Sequence, residues 1–212
     1  MNRHLLLSFF FISSAFCIVK IQSSGFDTSF ANHINSKSKI YTDTTIILFG
    51  DSSYRLRLHM FDTFNIYNEE TYNSVLTFIK YEKNQIKNLF SDSMFCMYPD
   101  IAFQDFNNDK KKDVMVFYYS GARANPTYHL YLSDPKNRKL IRINGFEKLS
   151  NPYLDTTNNI IMSIALSGSN YYSFYRISSK NKLLNLGHSF DENPNDSTQY
   201  DNAIRQILKE NH

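Results

Sequence analysis

Beyond residue 43, short apolar runs recur about every ten positions, separated by Gly, Asn, Asp, Ser or Pro, the spacing of an all-β domain. Thr44 to Phe49 is one such run, stopped by Gly50-Asp51. Tyr54 to Met60 alternates: Tyr54, Leu56, Leu58 and Met60 share one face, and Arg55, Arg57 and His59 share the other. A period of two places the first set in a core and the second toward solvent. Ser74 to Lys83 and Gln85 to Phe90 read as a strand and its return about Asn84. Phe95 to Phe106 leads into an acidic loop, and Val114 to Tyr119 follows it. That strand is apolar on both faces, which marks a central position. Tyr128 to Leu132, Lys139 to Ile143, Ile160 to Leu166, Tyr171 to Ile177 and Lys182 to Leu186 continue the pattern. Phe146 to Leu154 reads as irregular or as one helical turn, broken at Asn151-Pro152. Tyr200, Ala203, Ile204, Ile207 and Leu208 fall at helical spacing and predict a short amphipathic helix up to Glu210. The expected fold is therefore all-β, a mainly antiparallel meander of barrel- or propeller-like form with a short C-terminal helix. No repeat of fixed period is visible, so a solenoid or full propeller is not supported.

The first residues follow a different rule. Arg3 and His4 precede an apolar stretch, Leu5 to Val19, interrupted by Ser8, Ser13 and Ser14 and ended by Lys20. About 15 residues suits the core of a secretory signal and is short of the roughly 20 that span a membrane. The division expected is a signal peptide over 1–24, an exposed lead-in over 25–42, a β-domain over 43–190, and a polar loop with the helix over 191–212. A periplasmic or secreted location follows. Ala15 and Cys17 offer one cleavage site and Ser24 another; lipid anchoring at Cys17 is the alternative, although Phe16 stands where a small residue is usual. Loss of Cys17 would leave Cys96 without an internal disulfide partner, a small buried hydrophobe. No later segment is long and apolar enough to span a membrane.

Composition narrows the rest. The 212 residues carry a net charge of +3, too little to make nucleic acid the main partner. Two cysteines exclude a disulfide scaffold and a multi-cysteine zinc site. The six histidines show no metal spacing, and no nucleophile elbow, P-loop or dinucleotide glycine pattern occurs. No catalytic residue is assigned, although carboxylates paired in space for glycoside hydrolysis are invisible in a sequence. Tyr118, Tyr119, Tyr128, Tyr131, Tyr171, Tyr172 and Tyr175 suit either a binding surface or ordinary half-buried strands.

One stretch carries chemistry. From Asp105 to Asp113 the chain reads Asp-x-Asn-x-Asp-x-x-x-Asp, with oxygen ligands at the first, third, fifth and ninth positions. Asp105, Asn107, Asp109 and Asp113 offer side-chain oxygens and Lys111 a backbone carbonyl. Calcium takes six to eight hard oxygens at about 2.3–2.6 Å, and a chain wrapped round one ion turns alternate side chains inward. Three carboxylates so close repel one another without a cation. Lys110 occupies the sixth position, where an EF-hand has Gly, and Val116 the twelfth, where it has Glu, so this is no EF-hand. The other reading is a polar hairpin tip whose Asp and Asn side chains cap backbone amides.

The strand, the acidic loop and the following apolar strand resemble the calcium loops of FG-GAP and integrin-type propeller repeats, which carry glycines where this chain has Asn108 and Lys110. Over residues 95–190 the chain is more similar to a family of exported bacterial β-proteins with a single such loop. That family includes periplasmic immunity proteins that inhibit lysozyme-like effectors. Its order of loop, Tyr-rich strand, a segment like Leu149-Ser150-Asn151-Pro152 and a closing meander is matched here; its Phe-Asp-Gly within the loop is replaced by Asn108-Asp109-Lys110. The resemblance implies a calcium-stabilised, non-catalytic protein-binding module, with a lysozyme-like hydrolase as partner. A carbohydrate-active hydrolase and an adhesive surface module of FG-GAP type are the alternatives.

Overall fold

A computed structural model describes residues 42–63, 69–83, 85–121 and 123–210. The segments expected as a signal peptide over 1–24 and a lead-in over 25–42, with Cys17 and the turn at Asn84, lie outside the described residues, save Thr42, which opens β1. Twelve strands are present among them: β1 (Thr42–Ile47), β2 (Tyr54–Met60), β3 (Ser74–Glu82), β4 (Gln85–Met94), β5 (Ile101–Gln104), β6 (Asp113–Ser120), β7 (Pro126–Asp134), β8 (Lys139–Ile143), β9 (Tyr153–Asp155), β10 (Ile160–Ala165), β11 (Tyr171–Ile177) and β12 (Leu183–Asp191). Helix α1 (Gln199–Glu210) ends the chain's described part.

The strands form three four-stranded antiparallel sheets: β1 to β4, β5 to β8, and β9 to β12. Each is a simple meander in which consecutive strands pair. The all-β expectation holds in its meander form. No closed barrel is formed among the described residues: each sheet has two edge strands. The architecture repeats although the sequence does not.

Alternation explains how the sheets stack. In β2, Leu56, Leu58 and Met60 are buried while Arg55, Arg57 and His59 are less so. They meet Leu76, Phe78 and Met94 of their own sheet and Val114, Val116, Tyr131 and Leu140 of the second. The neighbours of those residues in β6 to β8, namely Met115, Leu130, Leu132 and Ile143, point the opposite way and pack on Leu154, Ile161 and Ile177 of the third sheet. The second sheet is thus buried on both faces, as the apolar run after the acidic loop predicts. In the third sheet Ile160 and Phe174 face α1, where Ala203, Ile204 and Ile207 cover them. The layers run sheet, sheet, sheet, helix. Tyr200 Oη donates to Asp155 at 2.9 Å and His188 bonds Glu210 at 2.9 Å, tying α1 to the third sheet.

The 95–106 lead-in holds only the short β5, and β4 continues to Met94. The segment read as irregular contains a single 3-10 turn, Phe146–Lys148, followed by the three-residue β9. Cys96 is buried and free, and burial pushes its thiol up to about 12, which keeps it protonated and unreactive. No helix among the described residues is long and apolar enough to cross a membrane.

Candidate functional site

The acidic loop is the β5–β6 hairpin of the second sheet. Its side chains form a relay of tight turns, each carboxylate or amide oxygen accepting the N–H two residues on. Asp105 Oδ1 takes Asn107 N–H at 3.2 Å, Asn107 Oδ1 takes Asp109 N–H at 3.2 Å, and Asp109 Oδ1 takes Lys111 N–H at 2.8 Å. Such local bonds are what Asp and Asn offer a turn. The other Asp105 oxygen accepts Lys110 N–H at 2.7 Å, closing the loop on its own first residue. That closure requires Lys110 to sit at φ 66, in the left-handed region. Gly occupies this region freely; a β-carbon there costs roughly 1–2 kcal/mol. The sharp turn expected of glycine at the sixth position is therefore made by lysine, and Asn108 makes a second at φ 59. The lysine side chains at 110 to 112 are exposed. Lys111 Nζ reaches Asp109 at 3.5 Å.

Asp113 differs from the rest. It is fully buried at the start of β6. One oxygen accepts Phe106 N–H at 2.9 Å and the other Ser133 N–H at 3.0 Å, tying the loop to β7. Burial pushes its carboxyl up to about 6; the two amide bonds oppose the rise, and the charges of Asp109 and Asp105 add to it. Five candidate ligands thus share one hairpin tip, four of whose side chains also cap backbone amides. Among the described residues no three or more His, Cys, Asp or Glu side chains are spaced to hold a metal ion.

The same hairpin position recurs. The first hairpin of the first sheet holds Asp51, whose Oδ1 accepts Ser53 N–H at 3.0 Å. The first hairpin of the third holds Asp155, whose Oδ1 accepts Thr157 N–H at 2.9 Å. Asn108 Nδ2 donates to Thr156 O at 2.9 Å, so the acidic loop touches the third sheet's hairpin. Only the middle copy extends the capping Asp into a nine-residue array of oxygens.

A second polar cluster lies in the seam between the first and second sheets, and sequence reading missed it. Asp92 of β4 accepts Tyr131 Oη and Arg142 Nη1, each at 2.8 Å. Arg142 Nη2 donates to His129 Nδ1 at 3.2 Å, and His129 Nε2 donates to Phe95 O at 3.1 Å. These bonds assign the neutral tautomer with its proton on Nε2. The ring lies 4.9 Å from that of Tyr118. Burial, reinforced by the Arg142 charge, holds the His129 imidazole below its ordinary 6.5. The unfolded chain therefore binds a proton that the folded chain refuses, and stability falls as pH drops below about 6.5. His129→Gln supplies a donor and an acceptor without a titrating ring. Melts from pH 7.5 to 5 should show a wild-type loss of at most about 1.4 kcal/mol per pH unit from this group, absent in the variant. Parallel pH profiles for the two proteins would refute the assignment.

The tyrosines do not make one surface. Tyr131 is buried in the first core, Tyr128 and Tyr175 pack on the second, and Tyr172 packs on the third; Tyr171 is exposed. The basic face of β2 is partly neutralised, since Asp43 of β1 bonds Arg57 at 2.6 Å and His59 at 2.7 Å. Arg138 stacks over Phe49 and Tyr54, 5.3 and 5.0 Å from the ring centroids. No protein-family model, curated protein or solved structure matches the chain.

Proposed function

We propose that the chain is an exported, non-catalytic protein-binding module whose 105–113 loop is stiffened by calcium. The observation that carries this reading is the closed winding of that loop, in which Lys110 is held left-handed so that Asp105 can accept its amide. Asp105, Asn107 and Asp109 stand at alternate positions of that winding, and a chain that wraps a hard cation offers it alternate oxygens. Asp105, Asn107, Asp109 and Asp113 would hold the ion through side chains and Lys111 through its carbonyl. Its charge would offset the mutual repulsion of three carboxylates. The exposed Lys110 and Lys112 leave the loop's outer side polar, and the buried Phe106 and Asp113 keep its base fixed. A fixed tip loses little conformational freedom on docking, which favours tight association. By the resemblance of its loop and following strands, the partner is a lysozyme-like peptidoglycan hydrolase in the cell envelope.

Calcium at 1 mM should raise the melting temperature relative to EGTA. At a concentration 100 times the dissociation constant the gain is about 2.7 kcal/mol. Asp105→Asn and Asp109→Asn keep a capping oxygen and lose the charge, so each should abolish the shift. A melt that does not respond to millimolar calcium overturns the ion. The partner is tested by lysozyme inhibition with and without calcium, alongside capture of envelope proteins on the immobilised mature chain. The absence of both inhibition and capture overturns the binding role.

A further inference from the structure

Among the described residues six strands border the three sheets, and five of them are protected against pairing with another chain. β4 is bulged against β3 and turns the Asp92 carboxylate inward to Arg142. β8 carries Lys139 and Arg142. β12 is bulged against β11 and bonded to α1 through His188. β5 has four residues and β9 three. These are the usual devices for blunting an edge. β1 is the least protected: its six residues, Thr-Asp-Thr-Thr-Ile-Ile, pair with β2 without a bulge and contain no Pro or Lys, and its one charge, Asp43, is turned back onto Arg57 and His59.

The register states which backbone groups are on offer. Leu48 N–H donates to Tyr54 O at 3.0 Å, and the pairing continues through Ile46 with Leu56 and Thr44 with Leu58. Antiparallel ladders alternate, so Asp43, Thr45 and Ile47 direct their N–H and C=O groups away from β2. Ile47 is 53% exposed. Beside this edge lies a cavity of about 360 Å³, walled by Ile46, Phe49, Phe103 and Pro135, with Lys111 and Lys112 at its lip. Lys112 is exposed and has no ion pair among the described residues.

We propose that the edge of β1, unpaired among the described residues, takes up an extended peptide segment, with alternate apolar side chains in the adjacent cavity and an acidic end on Lys111 and Lys112. A strand added to an edge gains affinity from its main chain and specificity from every second side chain. An apolar wall with ammonium groups at one end selects a segment that finishes in Asp, Glu or the terminal carboxylate. The inference rests on the reading of the chain as a protein-binding module and names the surface used.

The probe is a fluorescein-labelled ten-residue peptide alternating Val and Thr and ending in two Asp residues. Fluorescence polarisation against the mature protein should show saturable binding. Thr45→Pro removes one outward N–H and leaves the β2 pairing intact, since an edge strand tolerates proline there; it should abolish binding. Lys111→Gln with Lys112→Gln, or an amidated peptide ending in two Asn, should weaken it about tenfold or more. No binding to a normally melting wild type, or binding indifferent to Thr45→Pro, overturns the proposal. A concentration-dependent dimer in sedimentation that Thr45→Pro dissociates overturns it in favour of a second copy. Displacement of the peptide by dodecanoate, bound equally by wild type and Thr45→Pro, overturns it in favour of an amphiphile. A captured hydrolase that Thr45→Pro does not release sinks this edge and spares the broader role. Failure of the broader role leaves the peptide result unchanged.

Discussion

Phe106→Ala is expected to cost the fold about 3–5 kcal/mol, the range for deleting a buried aromatic ring. Phe106 is the second residue of the acidic loop and is 1% exposed. Its ring meets Phe146 edge-on at 4.9 Å and belongs to the core shared by the second and third sheets. The capping bonds of the loop are mostly exposed, and each such bond contributes only about 0.5–1.5 kcal/mol net. One apolar side chain therefore outweighs any single polar contact in seating the loop. Urea denaturation gives the value directly, and a loss below about 1.5 kcal/mol would mean that the loop is not anchored through this ring. A calcium response that survives in folded Phe106→Ala protein would separate seating from ligation.

Asp113→Ala should cost about 2–4 kcal/mol, because it orphans two buried amides, those of Phe106 and Ser133. Some of that loss is offset. Burial raises the Asp113 carboxyl to about 6, so its ionised form is unfavourable in the fold at neutral pH. The sign of this contribution is opposite to that of His129. An aspartate that titrates higher when folded binds a proton on folding between about pH 4 and 6, so its contribution to stability rises as pH falls through that window. Asp113→Asn removes the charge and keeps one acceptor, and should cost less than the alanine. Chemical denaturation of both variants at pH 7 in EGTA checks the order. An alanine variant as stable as the asparagine would show that the two amides find other acceptors.

Where alternation and turn residues agreed, the strands were legible to the residue. Tyr54–Met60, Lys139–Ile143 and Tyr171–Ile177 have the bounds their patterns predict. The double-sided apolar run at Val114 to Tyr119 also announced its central place. What the pattern could not say is which face meets which neighbour. The tyrosines looked like a candidate surface because alternation marks a face as apolar without naming what covers it; Tyr131 is covered by the first sheet and Tyr172 lies on the helix side. The division into three meanders was hidden because the shared element is one capping Asp per sheet, Asp51, Asp105 and Asp155, in hairpins of unequal length. The seam cluster was out of reach for a different reason: Asp92 and Arg142 are 50 residues apart, and a lone histidine at 129 gives no hint of either. At the candidate site the five residues were found in one hairpin, as their spacing required. The separate role of Asp113 as an anchor shows only once Ser133 is seen beside it.

Helix α1 has a consequence for growth of the array. It occupies the face of the third sheet on which a fourth meander would otherwise lie, with Ile204 and Ile207 in the place of that sheet's apolar row. The outer face of β1 to β3 carries instead a polar row, Asp43, Arg57, His59 and Thr77, in which Asp43 pairs with both basic side chains. Truncation before residue 199 would leave Phe174 and Ile160 bare and the third sheet primed to associate through that surface.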